Sequence, residues 1–476
     1  MDNIFNGLRP FQKAEFLIMM LLAFAIPFYW LAAQYCEVAL FVCAVLKLIF
    51  DQKFKMNESQ LKLKWAYIIF ALTWFIYLVG MIHTENTSVG WNQVSKKLGF
   101  LIFPVIFIIS DMSYLTKSRL KAIGNALVLG CILFFFMNLF YAIYDVAFNG
   151  ASSERFFDQE LMKLYYVHHS YLSMYDSLGL MFCFMGIFEN ENRKIKIFNA
   201  IAYIILVVFI ILVRSRAGLL WLVLTFVLQW IWLTFIMKKK KIGWVMGGVF
   251  VLAVAGAIIA FPQSVKRITN TISDITSEHS SDHRLVQFKG YKAVLEDNWL
   301  WGVGTGDRTA ATQESYQRYK ANIVEKITPQ MAAVVDQVID NQYYEPDVTM
   351  RKDMMAKAPK YGVEPDTIAK YLVEYQFIRY AIDEDINAHN MFFETMIAVG
   401  IIGVLLLLAY FVVPLILWIK RKEFDMLYFS FLLMIGFNAL FESVFEVQLG
   451  IIFFCFFNSL LFTMSFRPNN SLELKD

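Results

Sequence analysis

Long apolar runs constrain the fold of this chain more than any other feature. A bilayer core about 30 Å thick needs roughly 20 apolar residues per helix. Twelve runs near that length occur, at 15–33, 35–50, 65–82, 98–110, 122–144, 170–188, 197–213, 217–237, 242–261, 391–419, 424–441 and 447–466. We therefore expect an all-α polytopic membrane protein with about twelve transmembrane helices.

Composition supports this class. Of the 476 residues, 58% are apolar and 17% charged, whereas soluble domains carry about 25% charged residues. This balance excludes a cytosolic enzyme, a disordered chain and a coiled coil. The five cysteines lie in or beside apolar runs and show no CxxC spacing, which disfavours metal or redox chemistry through cysteine. No small-residue cleavage site follows the first run, so we expect it to be retained as a helix.

The distribution of basic residues predicts the orientation. With the N-terminus inside, the inner loops carry seventeen Lys and Arg residues and the short outer loops carry six. The inner residues are Lys53, Lys55, Lys62, Lys64, Lys117, Arg119, Lys121, Arg193, Lys194, Lys196, Lys238, Lys239, Lys240, Lys241, Lys420, Arg421 and Lys422, and the outer ones are Lys96, Lys97, Arg155, Lys163, Arg214 and Arg216. Cytoplasmic loops are enriched in such residues, so both termini are expected in the cytoplasm.

This reading divides the chain into four parts. Residues 1–261 hold helices 1–9, residues 262–390 form one large extracytoplasmic loop, residues 391–466 hold helices 10–12, and residues 467–476 form a cytoplasmic tail. Apolar residues recur every three or four positions in 316–339 and 366–382, which predicts short amphipathic helices within the loop. We find no nucleotide-binding fingerprint, and the predicted cytoplasmic loops are too short to hold a nucleotide-binding domain.

Charged residues at helix ends are informative because a charge at the bilayer centre costs about 2.5–3.5 kcal/mol. The first such group, 214–218, places Arg214 and Arg216 in a tight hairpin on the predicted outer side. Arginine offers bidentate donors that match phosphate oxygens, which suggests a diphosphate site. The alternative is that these arginines extend to headgroups or pair with a carboxylate.

The second group is His283 with Arg284, followed by a glycine-rich stretch at 302–307. Its backbone amides could approach an anion. The spacing is not that of a P-loop, and a glycine turn that closes a helix is the alternative.

The third group is His389 and Asn390, where the large loop re-enters the membrane, followed by Gly400 and Gly403. A histidine titrates near neutrality and can act as a general base. The alternatives are a structural histidine at an interface and a packing face formed by the glycines.

The fourth group comprises His168, His169 and Tyr171 before the sixth span, with Glu442 and Glu446 in the last outer turn. A histidine-carboxylate metal site is conceivable, but no HExxH or similar spacing supports it. Polar pairing that anchors helix ends is the simpler interpretation, and we expect no metal site.

Together these motifs resemble those of the O-antigen ligase family, the Wzy-C/WaaL-like membrane glycosyltransferases. His389-Asn390, nine residues and then Gly400-x-x-Gly403 fit the pattern H-[N/S/Q]-x9-G-x-x-G. Ser215-Arg216 and Arg284 ahead of the glycine turn are similar to two further signatures, and Glu394 is also common there. The motifs cover about 200–465. Trp299 departs from the pattern, since relatives often carry proline before the turn.

The resemblance implies a GT-C-type fold in the bacterial inner membrane and a site at the periplasmic face. It implies transfer of a glycan from undecaprenyl diphosphate to a hydroxyl of lipid A-core or a similar acceptor, with inversion and without metal or cofactor. His389 matches the catalytic histidine, and Arg216 and Arg284 match the diphosphate-binding arginines. Arg214 is added on chemistry alone. Supporting roles fall to Asn390, Glu394, Glu442, His169, Gly400 and Gly403, and Glu394 or Glu442 could assist proton transfer.

Other functions remain open. An O-antigen polymerase and a protein O-oligosaccharyltransferase share the donor and the fold class of the ligases. A transporter would also explain twelve spans, but it predicts ionisable residues near the membrane centre and inverted repeats. Lys47 and Asp176 are among few deep candidates, and the polar groups cluster at one face. We therefore favour the ligase, with lipid and glycan partners and no nucleic acid.

Overall fold

The structure is a computed structural model that describes residues 4–50, 58–110, 112–165, 167–260, 283–325, 328–338, 348–384 and 386–466. Within these ranges the chain is helical and contains no strand, which confirms the predicted all-α class. The tail at 467–476 and the first part of the large loop, 261–282, lie outside the described residues.

Eleven helices precede the large loop. They are α1 Pro10–Ala25, α2 Trp30–Phe50, α3 Glu58–Val79, α4 Thr87–Lys96, α5 Gly99–Ile109, α6 Lys117–Phe148, α7 Asp158–Leu161, α8 His169–Phe188, α9 Arg193–Val213, α10 Arg216–Ile231 and α11 Lys240–Ala260. A π-helical turn, Trp232–Ile236, extends α10, and short 3-10 turns lie at Gly80–His83, Met112–Tyr114 and Ser153–Phe156.

Five helices lie within the large loop, and three follow it. The five are α12 His283–Asn298, α13 Arg308–Val324, α14 Pro329–Val338, α15 Val348–Lys357 and α16 Pro365–Asp383, and the three are α17 Met391–Arg421, α18 Met426–Phe441 and α19 Gln448–Phe466. The helices predicted in 316–339 and 366–382 are present as the end of α13 with α14, and as α16.

Nine helical segments of the described residues are long and apolar enough to cross a membrane. They are Trp30–Phe50, Leu63–His83, Thr87–Ile109, Lys117–Phe148, His169–Phe188, Arg193–Val213, Gly218–Ile236, Met391–Arg421 and Gln448–Phe466. The other three predicted spans are also helical, but α1 and α18 have 16 residues each, and the side chains at 252–260 of α11 lie outside the description. The count of twelve and the GT-C class stay predictions.

The boundary between the first two predicted spans is wrong. The sequence placed the first span at 15–33, whereas α1 ends at Ala25 and α2 begins at Trp30. Pro27 lies in the intervening turn. Proline lacks the amide hydrogen and disfavours helical geometry in the residue before it, so the apolar run is broken there although its hydropathy continues.

The chain forms two compact units. The first comprises Met1–Phe75, Val94–Gly247 and Leu405–Asp476. Two of its helices, α8 and α19, are almost enclosed by the rest of the protein, since 89% of the residues in the apolar stretch of each are buried. Helices α6, α9, α10 and α18 pack against α8, and α2, α5 and α18 pack against α19. Phe70 and Tyr410 stack with ring centroids 4.3 Å apart in the same unit.

The second unit comprises Ile76–Gln93 and Gly248–Val404. Helices α12, α13 and α16 enclose its main core, in which Tyr316 and Ile378 are fully buried. At the edge of this core the Tyr319 hydroxyl donates to Glu374 at 3.1 Å, and Lys289 pairs with the same carboxylate. Burial, together with the Glu374 charge, raises the pKa of Tyr319 above its usual range. A smaller cluster joins α14, α15 and α16.

Acidic partners accompany most of the basic residues on the predicted outer side. Lys97 lies 2.9 Å from Glu446, and Arg155 lies 2.7 Å from Asp145. Arg214 and Lys163 also have acidic partners, Glu154 and Glu160. The positive charge of four of the six outer basic residues is therefore neutralised by a nearby carboxylate. These residues are compatible with the orientation that the inner lysines and arginines predict.

Candidate functional site

His389 lies in a tight turn immediately before α17. Its backbone is left-handed, with φ of 44°, and its amide donates to Asn387 Oδ1 at 2.9 Å. Asn390 caps the helix, since its Oδ1 accepts from the amides of Phe392 and Phe393 at 3.0 and 3.1 Å. A non-glycine residue holds positive φ only where its surroundings enforce it. These bonds fix the half-buried His389 at the helix N-terminus.

Glu394 braces the same turn from inside. It is 1% exposed, its Oε1 accepts from the Ala388 amide at 2.5 Å, and its Oε2 forms an ion pair with Arg308. Its carboxylate is thus committed to Ala388 and to Arg308. In this geometry Glu394 holds the turn, and its assistance in proton transfer stays a prediction.

Helix α12 packs onto the start of α17. The rings of Phe288 and Tyr291 lie 5.5 and 5.6 Å from the ring of Phe393, and the Gln287 side chain reaches the Asn387 carbonyl at 3.5 Å. Arg284 is the second residue of this helix and precedes Gln287 by three residues. The backbone of Arg284 therefore belongs to the helix that contacts the His389 turn, while its side chain lies outside the described part.

The glycine-rich turn at 302–307 is built against α17. The amides of Val303 and Gly304 donate to the carbonyls of Ile397 and Ala398 at 2.8 and 3.1 Å, and the Ile401 amide donates to the Trp299 carbonyl at 2.8 Å. All six amides of the turn have acceptors within the protein. An anion would have to displace these bonds, so the structure supports the structural interpretation of this turn.

Gly400 makes the close approach possible. Its φ of 70° and ψ of −168° break the helical path within α17, and a Cβ there would lie 2.1 Å from the Leu300 carbonyl oxygen. At Gly403 a Cβ would lie 2.4 Å from Val399 Cγ2. The two glycines of the H-N-x9-G-x-x-G motif are thus required by packing near the His389 turn.

The predicted arginine hairpin is present. Helix α9 ends at Val213, Arg214 follows with φ of 50°, and Ser215 caps α10 by accepting from the Gly218 amide at 3.2 Å. The Arg214 guanidinium lies 3.6 Å from the Phe157 ring centroid and 3.4 Å from Glu154. Pairing with a carboxylate, the alternative interpretation for this group, is what the structure shows for Arg214. Arg216 is the first residue of α10, and its side chain lies outside the description.

Glu442 contacts Ser170, the residue after His169. The Ser170 hydroxyl donates to Glu442 Oε1 at 3.0 Å, and His169 Nδ1 lies 3.4 Å from the Gln159 side-chain nitrogen. No group of three metal-ligating side chains occurs among the residues that the structure describes. The polar pairing expected for these helix ends is present.

The structure therefore groups the candidates within each unit. The second unit brings together His389, Asn390, Glu394, Gly400 and Gly403, with the backbone of Arg284 nearby. The first unit holds the hairpin of Arg214 and Arg216, and it holds His169 and Glu442, which Ser170 links through its own bond to Glu442.

Sequence reasoning missed Arg308 and Gln287. Arg308 follows the glycine turn directly, but a single charged residue at a helix start is ordinary, and nothing along the chain links it to Glu394. Two sequence features could have suggested the ion pair: Arg308 directly follows the glycine turn, and Glu394 is an acidic residue in the otherwise apolar first turn of α17.

A model of a known family matches part of the chain. Residues 201–332 match the O-antigen ligase family model, Wzy_C. The matched region includes Arg214, Arg216, Arg284 and the glycine turn, and it ends before His389. No curated protein matches the chain. The resemblance drawn from the motifs is confirmed for this region, and it supports a multi-pass, ligase- or polymerase-like membrane glycosyltransferase.

Proposed function

We propose that this chain, whose residues 201–332 match the O-antigen ligase family, transfers a glycan from undecaprenyl diphosphate to a hydroxyl of lipid A-core or a similar acceptor. The reaction takes place at the periplasmic face of the inner membrane, proceeds with inversion, and needs no metal or cofactor. The observation that carries the proposal is the His389 turn, a histidine held in a strained conformation by a cap, a buried acid and an arginine.

His389 is the general base in this mechanism. The acceptor hydroxyl attacks the anomeric carbon of the donor, a new C–O bond forms, and the bond from that carbon to the diphosphate oxygen breaks. The electron pair leaves on the diphosphate, and the hydroxyl proton passes to the imidazole. A positioned base contributes a factor of about 10² to 10⁴. The fixed turn supports this role because it limits the positions that the ring can adopt.

Arg216 and Arg284 are assigned to the diphosphate. The leaving group carries its negative charge from the start, so the protein needs to orient it and stabilise the added charge. Arginine performs this task through bidentate hydrogen bonds. The hairpin that presents Arg216 at the first position of α10 supports the assignment, since helix N-termini favour anions. Arg214 stays a weaker candidate because Glu154 and Phe157 already hold its guanidinium.

The test is complementation of a deletion strain with His389→Ala and Arg216→Ala, read as lipopolysaccharide banding. We expect both variants to be inserted in the membrane at normal levels and to attach no polymer. His83→Ala and Arg318→Ala are matched controls, because both side chains are exposed and neither contacts the His389 turn or the hairpin. Polymer attachment by His389→Ala at the normal level would refute the mechanism.

The same strain separates the alternatives. Loss of a ligase removes all capped species, whereas loss of a polymerase leaves acceptor that carries one repeat. A protein O-oligosaccharyltransferase would leave the lipopolysaccharide unchanged and abolish glycosylation of an exported protein. Activity of the purified protein in EDTA would support metal independence, and a strict Mg²⁺ requirement would contradict it.

A further inference from the structure

Three consecutive large apolar residues, Trp299, Leu300 and Trp301, are exposed in the second unit. Their exposed fractions are 51%, 40% and 59%. They lie between the end of α12 and the glycine turn, where a water-facing loop would ordinarily carry polar residues. The core of this unit does not use them, so their chemistry calls for an apolar or interfacial environment.

The length of α17 indicates where this segment lies relative to the membrane. The helix ends at Lys420 and Arg421, which mark one boundary. From Ile401 to Arg421 a helix rises about 31 Å at 1.5 Å per residue, which matches the thickness of the hydrocarbon core. The opposite boundary therefore lies at Gly400, where the helical path is broken. The hydrogen bond from the Ile401 amide to the Trp299 carbonyl holds the aromatic segment at that level.

The glycine turn also contacts the end of a second candidate span, Leu63–His83. The Thr305 hydroxyl donates to the Tyr77 carbonyl at 2.6 Å, and its amide contacts the Gly80 carbonyl at 3.4 Å. The glycine turn and the aromatic segment before it thus lie beside the end of one candidate span and beside the break at Gly400 in another.

Several backbone groups near Trp299 are hydrogen-bonded within the protein. Irregular backbone at the edge of the hydrocarbon is tolerated only where its polar groups are bonded within the protein. The Trp299 carbonyl accepts from Ile401, and the amides of Gly302, Val303 and Gly304 donate to the carbonyls of Asn298, Ile397 and Ala398. The segment can therefore lie against lipid without leaving these groups unpaired.

We propose that Trp299, Leu300 and Trp301 form a membrane anchor that inserts into the headgroup layer of the bilayer lipids. Tryptophan favours this layer because its ring is apolar and its indole nitrogen donates a hydrogen bond. The anchor fixes the depth of the glycine turn. Through the bonds from that turn to Ile397 and Ala398 it also fixes the depth of the first part of α17, which directly follows the His389 turn. The anchor does not depend on glycosyl transfer.

The test measures depth directly. A nitroxide label is placed at Trp299→Cys, Leu300→Cys or Trp301→Cys in a Cys36→Ser background, because Cys36 is the half-exposed native thiol among five and the others are buried. The full chain is reconstituted in vesicles of phosphatidylcholine and phosphatidylglycerol. The collision rates of the label with oxygen, which partitions into lipid, and with a water-soluble nickel chelate are then compared. Leu405→Cys provides a lipid-exposed reference and Arg318→Cys a water-exposed one, as both side chains are well exposed.

We expect the oxygen-to-nickel ratio at 299 and 301 to be several-fold above that at 318 and below that at 405. A ratio at both positions equal to that at 318 would overturn the anchor and leave a surface for a soluble partner. Should one substitution prevent folding, as judged by size-exclusion chromatography, the label at 300 gives the same decision. The depth measurement does not require glycosyl transfer. A negative result for the membrane anchor can therefore be distinguished from a negative result for the proposed transferase activity.

Discussion

Arg308 and Glu394 form an ion pair that joins the first turn of α13 to the first turn of α17. The same carboxylate accepts the amide hydrogen of Ala388, the residue before His389. The side chains are 11% and 0% exposed, so the pair is largely shielded from water. The conformation of the proposed catalytic turn therefore depends on a residue that is distant in sequence and absent from the family motif.

Removing Arg308 should destabilise the second unit. In Arg308→Met the buried Glu394 loses its counter-charge, and breaking a buried pair in this way costs about 3–5 kcal/mol. Thermal unfolding in detergent measures the loss. Lys292→Met is the control, because Lys292 pairs with Glu296 at an exposed site and should change the free energy of unfolding by less than about 1 kcal/mol. Equal effects of the two substitutions would contradict a shielded pair.

Gly400→Ala should disrupt the contact between the glycine turn and α17. The backbone at φ of 70° and ψ of −168° is essentially restricted to glycine and costs about 1–3 kcal/mol for other residues. The added Cβ would also meet the Leu300 carbonyl oxygen at 2.1 Å. We expect loss of polymer attachment and a lower yield of folded protein. Gly248→Ala, where a Cβ meets nothing within 4 Å, should retain both, and a fully active Gly400→Ala would show that the break is unnecessary.

Lys47→Met should destabilise the first unit. Lys47 pairs with Glu15 at 2.7 Å with both side chains fully buried, and Ser110 donates to the other oxygen of Glu15. The substitution leaves a buried carboxylate without its cation, at a cost of about 3–5 kcal/mol. Lys121→Met removes a partly exposed pair with Glu189, in which the side chains are 18% and 26% exposed, and should cost less. Unfolding in a mixed-detergent titration gives the free energy of unfolding of both variants. Equal losses would refute the claim that the buried pair of Lys47 and Glu15 stabilises the first unit.

Asn390→Ala should loosen the His389 turn. The substitution removes the acceptor for the amides of Phe392 and Phe393, and loss of such a cap costs about 0.5–2 kcal/mol. Polymer attachment should fall while membrane insertion is unchanged. Asn390→Asp preserves the acceptor oxygen and should preserve most of the attachment. If Asn390→Asp were as impaired as Asn390→Ala, the role of Asn390 would lie beyond helix capping.

Much of the fold could be predicted from hydropathy. The all-helical class and the apolar segments follow from composition and run length, because a helix satisfies its own backbone hydrogen bonds inside a bilayer. The break at Pro27 was missed, since hydropathy continues across it and only backbone chemistry ends the helix there. Hydropathy also could not show that Ile76–Gln93 belongs to the second unit. That segment belongs there because it contacts Thr305 and Asp307, which lie far along the chain.

The site was predicted less completely. His389, Asn390 and the two glycines stand in a recognisable order along the chain. The reason for Gly400 became clear only from the Leu300 carbonyl that lies against it. Glu394 was predicted to assist proton transfer, which stays a prediction, whereas its contact with Arg308 was not predicted at all. Partners that are distant in sequence leave no periodic signal in a single chain.

The sequence by itself determined that this is a helical membrane protein, which faces are polar and which family its motifs resemble. These properties follow from local composition and spacing, and each can be evaluated one segment at a time. Only the tertiary structure decided that the glycine turn packs against a broken helix, that Arg308 braces Glu394, and that Trp299 lies level with Gly400. Those relationships are set by close packing between distant segments, where a backbone approach of a few ångströms determines which side chains can be accommodated.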